Sequence, residues 1–343
     1  MRICHVIFSF ELGGAEAMLV DIVNEQFSKA DISIIVINNI YNQALVNKID
    51  KRVNVFFINR KIGSKNPYPI IRLNFLLFRL SADVIHCHNH NIATIIPIFK
   101  RKLVLTLHDV GITSKNYNKY LKLFAISNSV KLDIYKRSGL NAIRVYNGIN
   151  LGLIHQKKDF SVSDKFKILI VSRLRHNKKG QHLALKAVKI SSEKGIKNIT
   201  LDIIGEGPSK VFLEKMTKKN DLENQINFLG FKDRNYIYKH IKDYDLLLQP
   251  SLYEGFGLTV VEAMAAKVPV LVSNIEGPME VIENGKFGYF FEVGNPKDLS
   301  LQIDKIIKNY GENKFILKIE EARKRVIEKF DIKHTAQNYI NSY

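Results

Sequence analysis

The chain has 343 residues, which is enough for two domains that each bury a core. Its 46% hydrophobic and 25% charged residues are ordinary for a globular protein and exclude a disordered or fibrous chain. The net charge of +19 is less ordinary, and residues 1–160 hold 22 lysines and arginines against 10 acids. This field suits nucleic acid, an anionic membrane or phosphorylated substrates.

The first half of the chain alternates short apolar runs with helical patterns, which is typical of a parallel, doubly wound α/β sheet. Residues 15–27 carry apolar side chains at helical spacing and predict the first helix. The two cysteines lie within apolar runs and are expected to be reduced core residues. The predicted strands are 3–10, 32–37, 53–58, 84–86, 103–108, 123–127 and 142–146.

A polar, weakly patterned stretch from 149 to 165 predicts a linker, after which a second alternation begins. We therefore predict domains at 1–158 and 165–329, and a final segment, 330–343, that packs elsewhere. The predicted strands of the second half are 167–172, 200–205, 226–229, 245–249 and 268–273. Its predicted helices are 181–194, 209–219, 258–267, 296–308 and 314–329.

Residues 248–273, LQPSLYEGFGLTVVEAMAAKVPVLVS, are the most informative segment of the sequence. They predict a strand, a glycine-bearing loop, a helix and a second buried strand. Gly255, Phe256 and Gly257 form the end of the loop, and Leu258 starts the helix. Backbone N–H groups at such a loop and helix start favour an anion, usually a phosphate.

Two acids, Glu254 and Glu262, flank the predicted phosphate loop. Carboxylates repel phosphate but suit hydroxyl groups, so the pattern indicates a nucleotide-sugar site. Helical spacing places Glu262 on one face with leucine, valine and alanine, so it should be partly buried and need a partner. The alternatives are a first-turn acid favoured by the helix dipole for Glu262 and a solvated loop acid for Glu254.

Basic and glycine residues at other predicted strand ends could complete this site. Arg173 ends a strand and Lys179 precedes a helix, so the pair could hold a diphosphate, although a basic run is also typical of a solvated loop. Gly13 and Gly14 open the first helix and permit close ligand approach, or form a simple turn. His108 follows a strand at the edge where catalytic groups of such sheets lie, but a structural role is the alternative.

Three further patterns have competing interpretations. His86, His88 and His90 alternate at a strand end as metal ligands would, but they lack acidic or cysteine partners at ligand spacing. Asp243 and Asp245 form an Asp-x-Asp pattern that is also a simple polar strand start. Residues 69–80 predict a basic amphipathic helix that could lie on an anionic membrane or cross over the sheet as a core helix.

The motifs together resemble the large group of retaining glycosyltransferases with the GT-B fold, the glycosyl transferases group 1 (family four). The strongest match is the pattern Glu254-x7-Glu262. The resemblance implies two Rossmann-like domains that face each other across a cleft, with a final helix that returns to the first domain. The other matching segments are ELGGAE, DVIHCHNH, LTLHD, FAISNS, VYNGIN, VSRLRHNKKG, IIGEGP, FLGF and ENGKFGYFF.

The resemblance also implies roles in the second domain. Glu254 would face the donor sugar and Glu262 the ribose hydroxyls. Arg173 and Lys179 would neutralise the diphosphate, assisted by N–H groups near Gly257 and Leu258.

In the first domain, Gly13 and Gly14 would approach the phosphates or the acceptor, and His108 would lie near the reacting sugar. The family needs no metal, so we expect none and no other cofactor.

The predicted function is transfer of a hexose or N-acetylhexosamine, with retention, from a nucleotide diphosphate sugar, with uridine as the predicted base. The acceptor would be a lipid-linked glycan of a bacterial surface polysaccharide such as O-antigen, lipopolysaccharide or capsule, at the cytoplasmic membrane face. A sugar-nucleotide epimerase and a non-catalytic partner subunit are the alternatives. Nucleic acid is not an expected partner, since no recognition motif accompanies the charge.

Overall fold

The protein is described by a computed structural model that covers residues 1–11, 13–161, 164–196 and 198–343. The chain divides into two compact units. Unit 1 comprises Met1–Asn150 and Phe330–Tyr343, and unit 2 comprises Leu151–Lys329.

Residues 151–158, which the sequence assigned to the first domain, belong to unit 2 instead. The reason is local bonding: the His155 N–H donates to the Tyr238 carbonyl at 3.0 Å, and the Lys157 N–H donates to Ala266 at 2.8 Å. The Lys157 ammonium also pairs with Asp245 at 2.8 Å. The polar segment is therefore tied to unit 2 by contacts that composition does not reveal.

Unit 1 contains a parallel sheet in the order β3-β2-β1-β4-β5-β6-β7. Its central strands are mostly apolar and buried because a parallel sheet is covered on both faces. The strands are β1 (Arg2–Ile7), β2 (Asp31–Asn38), β3 (Asn54–Arg60), β4 (Val84–Cys87), β5 (Leu103–Leu107), β6 (Lys122–Ala125) and β7 (Ile143–Arg144).

The helices of unit 1 cover its sheet and begin and end at recognisable signals. Ser127 caps α4 by accepting from the Val130 N–H at 3.1 Å, and Gly139 ends it with φ +70°. The helices are α1 (Gly14–Gln26), α2 (Gln43–Val46), α3 (Tyr68–Leu80) and α4 (Asn128–Ser138).

Helix α3 has one buried face and one exposed apolar face. Leu73 and Leu77 are buried, as a core crossover helix requires. The other face is apolar and exposed, with Tyr68, Ile71 and Phe75 each more than 60% exposed and Phe78 71% exposed. Within the described residues, no helix combines the length and apolar character needed to cross a bilayer.

Unit 2 contains a second parallel sheet in the order β10-β9-β8-β11-β12-β13. The predicted α/β class with two doubly wound sheets is therefore confirmed. The strands are β8 (Phe166–Val171), β9 (Ile199–Ile204), β10 (Ile226–Gly230), β11 (Leu246–Gln249), β12 (Val270–Ser273) and β13 (Tyr289–Phe291). The helices are α5 (His176–Lys179), α6 (Gln181–Glu193), α7 (Lys210–Lys219), α8 (Arg234–His240), α9 (Leu258–Ala265), α10 (Glu276–Val281), α11 (Pro296–Lys308) and α12 (Asn313–Lys329).

The last helix, α13 (Ile332–Ser342), belongs to unit 1 and packs on α1. Its Ile332 N–H donates to the Ile149 carbonyl at 3.0 Å, and the Ile149 N–H donates to Phe330 at 2.8 Å. A Cβ at Gly148 would lie 2.7 Å from the Ile332 backbone, so only glycine permits this close approach.

Candidate functional site

The order of the second sheet fixes where a ligand would bind unit 2. Strands β8 and β11 are neighbours but not consecutive in sequence, which makes their carboxyl ends the topological switch point. Open α/β sheets bind ligands in the crevice at this point. The segment after β8 carries Arg173 and Lys179, and the loop after β11 carries Glu254.

The segments that follow β8 and β11 at the switch point are held tightly together. The Leu252 N–H donates to the Lys178 carbonyl at 2.8 Å. Gly180 has φ +67°, and a Cβ there would lie 1.8 Å from the Pro250 carbonyl oxygen. Glycine is therefore required next to Lys179, and this close approach sets the position of the lysine.

The side chains of Lys179 and Glu254 form an ion pair across these segments. The Lys179 Nζ lies 2.5 Å from Glu254 Oε2, and the side chains are 20% and 17% exposed. The sequence predicts separate roles for the two residues, and the structure places them in direct contact. A mostly buried charge pair holds both side chains in defined positions.

Glu262 lies on α9 and is 6% exposed, so its carboxylate is buried as the helical pattern predicted. Its charge partner is Arg234, whose Nε lies 3.6 Å from Glu262 Oε1. The Arg234 guanidinium also stacks 4.9 Å from the Tyr238 ring centroid. Arg234 was not among the predicted site residues. A signal for its position exists, because the Asp233 side chain caps α8 by accepting from the Tyr236 N–H at 2.9 Å, and this cap marks the start of the helix after β10.

The glycine loop leads directly into α9. Gly257 precedes the helix with φ +106°, and Phe256 is buried as the anchor of the loop. Gly277 packs closely against the loop, since a Cβ there would lie 2.5 Å from the Glu254 carbonyl oxygen. The first N–H groups of a helix, here from Leu258, have no partner within it and can bind an anion.

Arg173 is exposed just beyond β8, and its carbonyl accepts a hydrogen bond from Gln181 Nε2 at 3.0 Å. This bond holds the backbone at the base of the exposed Arg173 side chain. The structure therefore brings together Lys179 with Glu254 and Arg234 with Glu262, and it places Arg173 at the same strand end.

The site residues predicted in unit 1 lie at the carboxyl ends of β1 and β5. Gly13 is the N-cap of α1, where Gly14 begins the helix, and the Glu16 carboxylate lies over it, 2.3 Å from where a Cβ would be. His108 follows β5, and its Nε2 lies 3.1 Å from His88 Nδ1. Burial lowers the pKa of His108 to about 4, so the ring is neutral at pH 7.

Comparison with known proteins gives the family. Residues 154–329, more than half of the chain, match the model of the glycosyl transferases group 1 family. The chain belongs to this family. The predicted resemblance is confirmed, and the protein is a glycosyltransferase.

Individual relatives agree with this assignment. An uncharacterized glycosyltransferase of Methanocaldococcus jannaschii is 29% identical over 296 residues, 76% of this chain and 75% of the relative. The N-acetyl-alpha-D-glucosaminyl L-malate synthase of Bacillus anthracis is 29% identical over 294 residues, 77% of this chain and 75% of the relative. Anabaena HepE, solved with UDP and glucose, is 22% identical with a TM-score of 0.83, covering 100% of this chain and 99% of its own. This likeness confirms the predicted GT-B fold.

The aspartates of the Asp-x-Asp pattern have structural roles in this glycosyltransferase. Asp245 accepts from the Lys157 ammonium at 2.8 Å and from the Lys167 N–H at 2.9 Å. Asp243 pairs with His240 at 3.0 Å. Both aspartates precede β11, at the edge of the sheet opposite to the candidate site, and Asp245 joins the starts of β8 and β11.

The histidine cluster contains His5, His86 and His88 instead of the predicted run that ended at His90. Strand β4 ends at Cys87, so the alternation does not continue to His90. The ligand atoms of the cluster lie within 4.8 Å of one another. Every ring nitrogen of these three histidines already has a hydrogen-bond partner in the protein, which favours a hydrogen-bonded network over a metal site.

Proposed function

We propose that this glycosyltransferase moves a hexose or N-acetylhexosamine from a UDP-sugar to a lipid-linked glycan acceptor, forming an α-linkage with retention. The product would belong to a bacterial surface polysaccharide such as O-antigen, lipopolysaccharide or capsule. The main support for this proposal is the Lys179–Glu254 ion pair at the switch point of the unit 2 sheet. The name of the B. anthracis relative supports an N-acetylglucosaminyl group and an α product, and the UDP bound to HepE supports uridine.

The diphosphate would bind the basic side of this site. Lys179 supplies a point charge and Arg173 a planar fork, and the N–H groups at Gly257 and Leu258 add hydrogen bonds. These groups stabilise the negative charge that develops on the leaving diphosphate. They offer the charge that a metal ion would otherwise supply, so we propose that transfer requires neither a metal nor another cofactor.

The acids would bind the hydroxyl groups of the donor. Glu254 faces the sugar from the loop that ends in Gly255 and Phe256, and the buried Glu262 accepts from the ribose hydroxyls. Each carboxylate has two oxygens with about four lone-pair sites, so it can bind a hydroxyl and its cation together. In unit 1, His108 would contact a sugar hydroxyl, and Gly13 and Gly14 would approach a phosphate or the acceptor.

A panel of UDP-, GDP- and ADP-linked sugars tests the donor assignment. We expect a thermal shift and nucleotide release with a UDP-sugar, both retained in EDTA, and loss of release in an Arg173→Ala/Lys179→Ala variant. Undiminished release by that variant would contradict the diphosphate site. An epimerised nucleotide sugar formed without an acceptor would instead support an epimerase, and a β-linked product would contradict retention.

We further propose that the exposed face of α3 binds an anionic membrane, which would place the enzyme at the inner face of the plasma membrane. Apolar side chains on this face and nearby cations match an interface of lipid headgroups and acyl chains. The exposed arginines of α3 are Arg72 and Arg79.

Sedimentation with vesicles tests this surface. The full chain should sediment with vesicles that contain anionic lipid, and a Phe75→Ser/Phe78→Ser variant should remain in solution. Leu121→Ser is the matched control, since Leu121 is 61% exposed in unit 1 outside α3. Equal sedimentation of all three proteins, or none by the wild type, would refute the membrane surface.

A further inference from the structure

Four histidines of unit 1 form a hydrogen-bonded row across neighbouring strands. His5 lies in β1, His86 in β4, His88 just after β4 and His108 just after β5. The row continues into side chains of α1 and α13. We call the whole set the histidine network, and its members are Tyr339, Thr106, His86, Tyr343, Gln26, His5, His88 and His108.

The histidines of the network are neutral. Burial lowers the pKa of His5 and of His108 to about 4, and it lowers the pKa of His86 and of His88 well below the usual value. A neutral imidazole has one N–H donor and one acceptor nitrogen. Each hydrogen bond along the row therefore determines the direction of the next one.

The direction at one end is set by Thr106. Its hydroxyl donates to the Tyr339 oxygen at 3.1 Å, so its oxygen accepts from His86 Nε2 at 2.7 Å. His86 Nδ1 is then the acceptor of that ring. The Tyr343 hydroxyl, 2.7 Å away, donates its proton to this nitrogen.

The Gln26 amide transmits this direction to the other histidines. The Tyr343 hydroxyl donates its proton to His86, so its oxygen acts as an acceptor, and Gln26 Nε2 donates to it at 3.5 Å. This orientation leaves Gln26 Oε1 facing His5 Nε2 at 2.9 Å, so His5 carries its proton on Nε2. His5 Nδ1 then accepts from His88 Nε2 at 3.1 Å, and His88 Nδ1 accepts from His108 Nε2 at 3.1 Å.

The row ends at the second nitrogen of His108. His108 Nδ1 is buried and has no hydrogen-bond partner among the described residues. Because Nε2 carries the proton, Nδ1 presents a lone pair, and a buried acceptor without a partner costs free energy until a donor arrives. The arriving group must therefore carry an O–H or N–H.

We propose that Tyr343 and Gln26 are positioning residues that hold His108 in the Nε2–H tautomer, so that its Nδ1 accepts a hydrogen bond from a sugar hydroxyl. The choice of a sugar rests on the proposed function. The alternative Nδ1–H tautomer would turn the same atom into a donor and require an acceptor on the ligand. Tyr343, which directly follows α13, thus controls the hydrogen-bond polarity of a residue more than 200 positions earlier in the sequence.

Nitrogen-15 NMR of the full chain, with long-range correlations to the ring protons, measures the tautomer directly. We expect Nε2–H for His108 in the wild type and a mixture of both tautomers in Tyr343→Phe, which frees the Gln26 amide to rotate. Tyr135→Phe, at an exposed tyrosine of unit 1, is the control and should leave the wild-type pattern unchanged.

A substitution of Gln26 tests the middle of the row. Gln26→Leu removes the acceptor towards His5 and should also give the mixture of tautomers. Nδ1–H in the wild type, or an unaltered tautomer in both Tyr343→Phe and Gln26→Leu, would overturn the proposal.

Donor kinetics supply the second readout. With a UDP-sugar that the enzyme accepts, kcat/KM should fall about three- to tenfold in Tyr343→Phe and in Gln26→Leu, which is the size of one neutral hydrogen bond. If no nucleotide sugar is a substrate, the proposed function fails, while the NMR measurement still decides the tautomer. Equal kcat/KM in all variants would overturn the hydroxyl contact.

Discussion

Removing the Lys179 charge tests the switch-point site most directly. In Lys179→Met, Glu254 loses its ion-pair partner, and both side chains are about four-fifths buried. Exposed pairs contribute up to about 1 kcal/mol, and breaking a fully buried pair costs about 3–5 kcal/mol. For this intermediate burial we expect the unfolding free energy to fall by about 2 kcal/mol.

The same substitution should weaken nucleotide binding by a separate effect. A hydrogen bond to a charged group contributes about 1.5–3 kcal/mol, which corresponds to about a tenfold to 100-fold loss of affinity for UDP. Glu254→Gln leaves Lys179 in place and removes the carboxylate that competes for it. This variant should bind UDP at least as tightly as the wild type but transfer sugar more slowly.

Urea unfolding and calorimetric titration with UDP measure the two effects, and the double variant completes a thermodynamic cycle. The Lys179→Met/Glu254→Gln double variant should be less destabilised than the sum of the single changes. Each single change leaves one charge of the pair without its partner, whereas the double change removes both charges. Lys178→Met removes the same charge from the same helix and should leave the affinity for UDP near the wild-type value. Unchanged UDP affinity in Lys179→Met, or an equal loss in Glu254→Gln, would refute the division of roles.

Other parts of the structure give three further predictions. Glu262→Gln should raise the donor KM about tenfold with little change in kcat, because an amide accepts ribose hydroxyls more weakly than a carboxylate; steady-state kinetics with an unchanged KM would exclude the ribose contact. Gly180→Ala should lower the free energy of unfolding in urea by about 3 kcal/mol, because its Cβ would lie 1.8 Å from the Pro250 oxygen. Gly139→Ala is the control, with φ +70° and nothing within 4 Å, and it should lower the free energy of unfolding by about 1 kcal/mol. Equal losses in the two variants would show that backbone strain alone destabilises them. Burial lowers the pKa of His108 from 6.5 to about 4, so between these pH values the unfolded chain binds a proton that the folded chain does not. The unfolding free energy should therefore fall as the pH drops from about 6.5 towards 4. Urea unfolding at pH 7 and pH 5 measures this fall, and an equally steep pH dependence in a His108→Asn variant would contradict the assignment to His108.

The sequence predicted the central strands and most of the longer helices well, but it missed α4, which Ser127 caps. Strands such as β1 and β2 are mostly apolar because both faces of a parallel sheet are covered. Helix α11 was predicted at its observed bounds, since Pro296 fits the first helical position and Asn295 caps it by accepting from the Lys297 and Asp298 N–H groups. Strand β13 was missed because three residues are too few to show a period.

The pairing of charged side chains could not be predicted from local pattern. Arg234 lies in a polar run that resembles a solvated loop, and its partner Glu262 belongs to another strand–helix unit. Helix α8 returns the chain from the edge strand β10 towards β11, and this return brings the two residues together. Likewise, His5 joined His86 and His88 because β1 pairs with β4, which depends on sheet order.

Each acid of the candidate site has a cation beside it before any donor binds. Glu254 pairs with Lys179 and Glu262 pairs with Arg234, so neither carboxylate presents an uncompensated charge to an arriving diphosphate. The exposed Arg173 and the N–H groups at the start of α9 then attract the diphosphate. It follows that replacing Glu254 makes the site more positive and spares UDP binding, whereas replacing Lys179 leaves Glu254 without its cation and weakens UDP binding. If the Glu254 and Lys179 variants lost UDP affinity alike, Glu254 would have to contact the nucleotide phosphates, which its charge opposes.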